Sequence, residues 1–220
     1  MAGRYFCCSG FGRVVHRLWM AGLVVLVLAG TLQAQTERKT GMNNDTIVLG
    51  TGCFWCSQAV FERVKGVISA RAGYSGGNIL DPSYEQVSRG NTGYAEVVQV
   101  VYNPSVVPLE QLLEIFWKTH NPTTLNRQGA DVGTQYRSVI FYRHAAQKAV
   151  AESLKKRLEE AKIWPDPIVT EISPLKNFYP AEPYHQDYYK NNPSAGYCQF
   201  VITPKLEKFE KVFRDWLKNK

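Results

Sequence analysis

LGTGCFWCSQAVF, residues Leu49–Phe61, is the stretch on which the fold turns. It joins an apolar strand pattern, TIVLG at 46–50, to a helical one, SQAVFERVKGV at 57–67, where Phe61, Val64 and Val67 recur at helical spacing. Between them stand Gly50 and Gly52, which allow a tight turn and close backbone approach. Strand, turn and helix in succession place Cys53 at or just before a helix N-terminus.

Outward from this point the chain alternates. VISARAGYSGG (67–77) reads as a strand running into a glycine turn, and YAEVVQVVYNP (94–104) as a strand ended by Asn-Pro. VPLEQLLEIFWKTH (107–120) reads as a helix with Pro108 near its start. YRSVIFYR (136–143) is a strand, HAAQKAVAESLKKRLEEAK (144–162) a long charged helix, and PIVTEISP (167–174) a strand. CQFVIT (198–203) reads as one more strand before a basic amphipathic helix at the C-terminus. Strands alternating with helices, and some strands adjacent in sequence, indicate a mixed α/β sandwich with helices packed on a sheet. The polar, aromatic stretches 74–94, 120–137 and 176–198 are long loops of the kind that carry function.

Composition narrows the class. The 220 residues are 45% hydrophobic and 20% charged, enough to bury one sizeable core without disulfide staples. Residues 1–34 carry Arg4, Arg13 and Arg17, no acid, then the apolar run Met20–Gly30 and TLQAQ, with Leu32 and Ala34 before a cut. This is the pattern of a secretory signal peptide, and the run is shorter than the roughly 20 residues of a spanning helix. The expected organisation is signal peptide 1–34, linker 35–45 and one domain over 46–220, in an exported and periplasmic protein. Loss of three Arg takes the net charge from +7 to +4. No basic block marks a nucleic-acid partner.

Of five cysteines, the mature chain keeps Cys53, Cys56 and Cys198. An odd number in an exported protein points to a free thiol and to redox or nucleophilic chemistry. At a helix N-terminus, free N–H groups and the dipole favour an anion, so a lowered Cys53 pKa is expected. Cys-x-x-Cys admits three readings. A disulfide exchanger of the thioredoxin kind fits the spacing, but Phe54-Trp55 is the wrong filling. A zinc site would draw on Cys198 and His185, yet it lacks a second close ligand pair. The third is a nucleophile whose aromatic neighbours form a pocket.

GCFWC resembles the active-site signature of the A-type peptide methionine sulfoxide reductases. The resemblance continues in order through GYSGG (73–77), YEQV (84–87), TGYAEVV (92–98), YNPSVVPLEQLLEIFWKTHNPT (102–123), GADVGTQYRS (129–138), AEPYHQDY (181–188) and GYCQ (196–199). It implies a two-layer α/β sandwich with a ferredoxin-like core and long functional loops. It implies reduction of methionine-S-sulfoxide, in proteins and free, by a monomer without bound metal or cofactor. It also implies recycling by an external thioredoxin-like or dithiol reductant.

Residue by residue, the resemblance makes Cys53 the attacking thiolate and Phe54 and Trp55 a wall for the substrate methyl group. Glu96 would be the acid that meets the sulfoxide oxygen. The pattern YAEVVQVVY puts it on the same strand face as Val98, and an apolar pocket should raise its pKa. Tyr84 and Tyr136 resemble hydroxyl donors to the oxygen, Asp131 a residue meeting the substrate backbone, and Tyr188 a pocket-lining ring. His185 reads as an orienting residue. Attack leaves a sulfenic acid, which condenses with a nearby thiol. Family position favours Cys198 as the resolving thiol, while Cys56, one helical turn from Cys53, stays open. Two positions depart from the family pattern: Ala130 where Asn is more usual, and Tyr94 where His is frequent.

Overall fold

The computed structural model describes residues 44–218. The signal peptide read at 1–34, and all but the end of the linker at 35–45, lie outside the described residues.

The chain runs β1 (Asp45–Thr51), α1 (Phe54–Phe61), β2 (Val67–Ser75), α2 (Tyr84–Ser88), β3 (Ala95–Tyr102) and α3 (Leu109–Lys118). A short hairpin follows, β4 (Arg127–Gln128) and β5 (Asp131–Val132), then β6 (Ser138–Tyr142) and α4 (Ala145–Glu160). The last elements are β7 (Glu171–Pro174), β8 (Tyr179–Pro180), α5 (Tyr188–Asn191) and α6 (Thr203–Val212). Six strands form one sheet in the order β7-β6-β1-β3-β2-β8; only β6 and β7 are parallel.

Alternation along the strands divides the core. Ile47 and Leu49 of β1, with Val98, Val100 and Tyr102 of β3, face the helices in the main core. Val48, Ala95, Val97, Val139 and Phe141 face the other side, under Leu175 and Phe178. Helix α1 is buried nearly all round, so its polar groups must bond internally. Gln58 donates to the Ala70 carbonyl (3.0 Å) and accepts from the Asp187 N–H (3.0 Å), while Ser57 pairs with Thr51 (2.6 Å). Helix α3 starts at Pro108 and buries Leu112, Leu113, Ile115, Phe116 and Trp117, each worth about 2 kcal/mol of apolar burial.

Two readings of the sequence are corrected. The helix after Cys53 begins at Phe54 and stops at Phe61, and Val64 and Val67 are buried from the turn and strand beyond it. CQFVIT is not a strand but a wide helical turn, Cys198–Ile202, in which the Thr203 N–H donates to the Cys198 carbonyl five residues back. Pro204 explains it: its ring crowds the carbonyl of residue 200 and it has no N–H to donate, so the helix widens there. The period-two pattern misled because the buried pair is Cys198 and Ile202, four apart.

Candidate active site

Gly50 and Gly52 make the turn that presents Cys53. A side chain at Gly50 would meet the Glu96 carbonyl at 3.1 Å and Val139 at 2.7 Å. Gly52 has φ +94°, and the Gln128 side chain lies against it. Cys53 is the N-cap of α1, but its side chain caps nothing, so the thiol is left free for chemistry. Its carbonyl accepts from the Ser57 N–H (3.3 Å) and hydroxyl (3.2 Å).

The first free N–H of the helix, that of Phe54, donates to Glu96 Oε2 at 3.0 Å. Glu96 stands on the helix-facing side of β3 and is 2% exposed. Burial pushes its pKa up to about 8, against the pull of the Phe54 N–H. It is a neutral acid at neutral pH, as the sequence led us to expect.

Cys53 differs from expectation. It is 8% exposed, and burial pushes its thiol well up; the Cys56 side chain and the Glu96 carboxylate push the same way. The helix-end N–H that was to favour a thiolate is occupied by Glu96. Cys56 goes the other way, down to about 7. Its interaction with Cys53 is the main cause, against burial, with help from the Lys205 charge and the Tyr197 hydroxyl.

These groups enclose a cavity of about 200 Å³ lined by Cys53, Phe54, Trp55, Tyr84, Glu96, Asp131, Tyr136 and Tyr197. Seven of them are residues singled out in the sequence. The eighth, Tyr197, was missed although it stands in the GYC block. Its hydroxyl donates to Asp131 Oδ2 (2.7 Å) and lies 4.0 Å from Cys56 Sγ. Burial holds the Tyr84 and Tyr136 hydroxyls protonated, and the Glu96 carboxylate adds to this only where it ionises, so both can donate.

Tyr188 lies behind the wall, stacked on Trp55 with ring centres 3.7 Å apart and planes 7° apart. Trp55 Nε1–H donates to His185 Nδ1 (3.1 Å). That bond puts the neutral imidazole's proton on Nε2, and burial lowers the His185 pKa. His185 therefore orients Trp55 and packs on Phe54 and Tyr84. Cys198 is wholly buried in the wide turn before α6. All three described thiols are free. Among the described residues no three His, Cys, Asp or Glu side chains gather as a metal site.

The arrangement offers a nucleophile, a neutral acid beside it, hydroxyl donors, an aromatic slot and a second thiol. That set suits attack on an electrophilic centre bearing a polar oxygen and a small apolar group.

Comparison with known proteins points the same way. The family model for peptide methionine sulfoxide reductase matches residues 45–217. Peptide methionine sulfoxide reductase MsrA 1 of Rhodopirellula baltica is 51% identical over 182 residues, covering 83% of this chain and 94% of that protein. The MsrA of Saccharolobus solfataricus is 49% identical over 174 residues, covering 79% and 97%. Among solved structures, reduced Mxr1 from Saccharomyces cerevisiae superposes with a TM-score of 0.66 at 36% identity, covering 74% of this chain and 94% of that one. Methionine sulfoxide reductase A of Corynebacterium diphtheriae gives 0.63 at 34% identity, covering 73% and 80%.

Proposed function

The chain belongs to the peptide methionine sulfoxide reductase family, and we propose that the cavity at Cys53 reduces methionine-S-sulfoxide, free and in proteins, with Glu96 as the proton donor. The observation that carries this assignment is the neutral, buried Glu96 carboxyl anchored to the Phe54 N–H in the wall that holds Cys53.

Phe54 and Trp55 take the substrate methyl group, and Asp131 with Tyr197 meets the backbone of the methionine. The sulfoxide oxygen faces Glu96, Tyr84 and Tyr136. As Cys53 Sγ attacks the sulfoxide sulfur, Glu96 gives its proton to the oxygen and the Cys53 proton is released, to return to Glu96. The hydroxyl then moves from the substrate sulfur to Cys53 Sγ as the bond between the two sulfurs breaks, which leaves a sulfenic acid on Cys53 and releases methionine. A resting thiol at Cys53 agrees with this sequence, because it loses its proton only once Glu96 has given its own to the substrate oxygen and can take one back.

We assign the resolving step to Cys56, in preference to the position that family likeness favours, Cys198. Cys56 is three residues along the same helix, interacts with Cys53 and is the more acidic thiol. Its sulfur attacks Cys53 Sγ, water leaves, and a Cys53–Cys56 disulfide forms. A thioredoxin-like or small dithiol reductant restores both thiols by exchange, with its own dithiol oxidised in turn. Cys198, whose thiol is pushed up by burial first and by the Cys56 charge second, is read as a second station rather than the first. No step calls on a metal or bound cofactor.

The run β1-α1-β2-β3-α3-β6 supports the finer reading of the fold as a ferredoxin-like core, because its four strands lie antiparallel in the order β6-β1-β3-β2. Export to the periplasm, with a mature chain starting after Ala34, rests on residues 1–34 and is tested by N-terminal sequencing of the protein from fractionated cells. The test of the function is turnover of the two sulfoxide epimers with dithiothreitol. The S epimer is consumed and the R epimer is not; normal activity in Cys53→Ser sinks the mechanism.

A further inference from the structure

A second, larger cavity of about 730 Å³ opens between the end of α3 and helix α6, with Gln128 of the β4–β5 hairpin in its lining. Trp164, Ile163 and Phe213 give it apolar walls, and Lys118, Lys205 and Lys208 stand in it; none of its lining residues is acidic. Lys118 is paired with Glu114 of its own helix. Lys205 and Lys208 form no ion pair among the described residues. A slot that combines apolar walls with three lysines and no acid complements an apolar segment carrying negative charge.

The groove adjoins the sulfoxide cavity. Gln128 lines the groove, and its side chain packs on Gly52, the residue before Cys53. In the hairpin, Gln128 lies directly opposite Asp131, which lines the sulfoxide cavity. Opposite residues of such a pair are about 5 Å apart, less than two residues of extended chain at about 3.3 Å each. The two cavities thus border one hairpin, and a polypeptide held by its oxidised methionine would reach the groove within roughly two to four residues.

We propose that this groove is a subsite for the polypeptide substrate, taking the segment two to four residues from the methionine sulfoxide and preferring there an aromatic or aliphatic side chain next to Asp or Glu. The proposal rests on the sulfoxide reading of the Cys53 cavity. A concave slot suits a few side chains of an extended chain; a folded dithiol donor presents a broad face of about 800 Å².

The test compares short methionine sulfoxide peptides carrying Glu-Phe or Lys-Ser two to four residues away, on either side, with N-acetylmethionine sulfoxide amide as the minimal substrate and dithiothreitol as reductant. The Glu-Phe peptide has a KM about 3- to 5-fold below its Lys-Ser counterpart on one side of the methionine, the size expected of an exposed charge contact. Lys208→Glu abolishes that difference, 0.5 M salt weakens it, and Ile163→Ser reduces it. The minimal substrate is turned over alike by all three proteins. Equal KM values for the two peptides in the wild-type chain overturn the proposal, as does a Lys208→Glu effect confined to the KM of a protein dithiol donor. If the wild-type chain fails on the minimal substrate itself, the reading of the Cys53 cavity falls instead.

Discussion

The Phe54 N–H and Glu96 Oε2, 42 residues apart in sequence, are joined by a 3.0 Å hydrogen bond across the wall of the Cys53 cavity. One oxygen of the carboxyl is thereby fixed as the acceptor, leaving the other to carry the proton toward the substrate. Glu96→Gln keeps the acceptor and the shape but has no proton to transfer. It should lower kcat about 100-fold or more with little change in KM. Steady-state kinetics on the free sulfoxide checks this, and an unchanged kcat removes Glu96 from the chemistry.

The same residue makes both rate and stability depend on pH. The acid form is the working form, so kcat/KM falls as pH rises through about 8, the value to which burial lifts Glu96. For stability the sign follows from the raised folded value. The contribution is fully present below the ordinary carboxyl range and is lost as pH rises through about 8. Glu62, lifted to about 8 by burial and its contact with Asp187, acts in the same sense. The informative quantity is therefore the difference between wild type and Glu96→Gln. From pH 6 to pH 9 the wild-type melting temperature should fall more than that of the variant.

Cys56 and Cys198 separate in a single turnover without reductant. In Cys198→Ser the product is a Cys53–Cys56 disulfide. In Cys56→Ser one equivalent of methionine is still released, but the Cys53 sulfenic acid persists and is labelled by dimedone. Peptide mapping distinguishes these, and a Cys53–Cys198 bridge as the first product of the wild-type chain reverses the assignment.

What could be read in advance follows from where each signal resides. The place of Cys53 after a strand and of Glu96 on the helix-facing side of its own strand was legible from local pattern, whereas the roles given to Phe54, Trp55 and Glu96 came from the resemblance to the family. Their mutual approach was legible only through the ordered blocks of the family. The Cys53 pKa was misjudged because helix position is a local property, whereas burial and the Glu96 bond to the helix end are tertiary. Tyr197 passed unnoticed because one tyrosine among twelve carries no signal until its bond to Asp131 is known. The 198–202 segment was misread because its alternation imitates a strand, while Pro204 set the outcome from beyond it.

Glu182 supplies the last prediction, and it acts only through its neighbours. Its Oε1 accepts from the Tyr84 N–H and its Oε2 from the Tyr74 hydroxyl, both at 2.8 Å. Tyr74 packs on Phe54, so one carboxylate holds both a hydroxyl donor of the cavity and the ring beneath its wall. These bonds help keep Glu182 ionised, against burial, and a charged acceptor serves two donors at once. Glu182→Ala leaves both donors without it and lets Tyr84 drift, so kcat should fall about 10-fold, the cost of roughly one charge-assisted hydrogen bond. The Tyr84→Phe change supplies the control. If Glu182 works by placing Tyr84, removing that hydroxyl in the Glu182→Ala background costs far less than in the wild type, and the double-mutant cycle is strongly non-additive. Additive losses would mean that Glu182 stabilises the fold without positioning the donor.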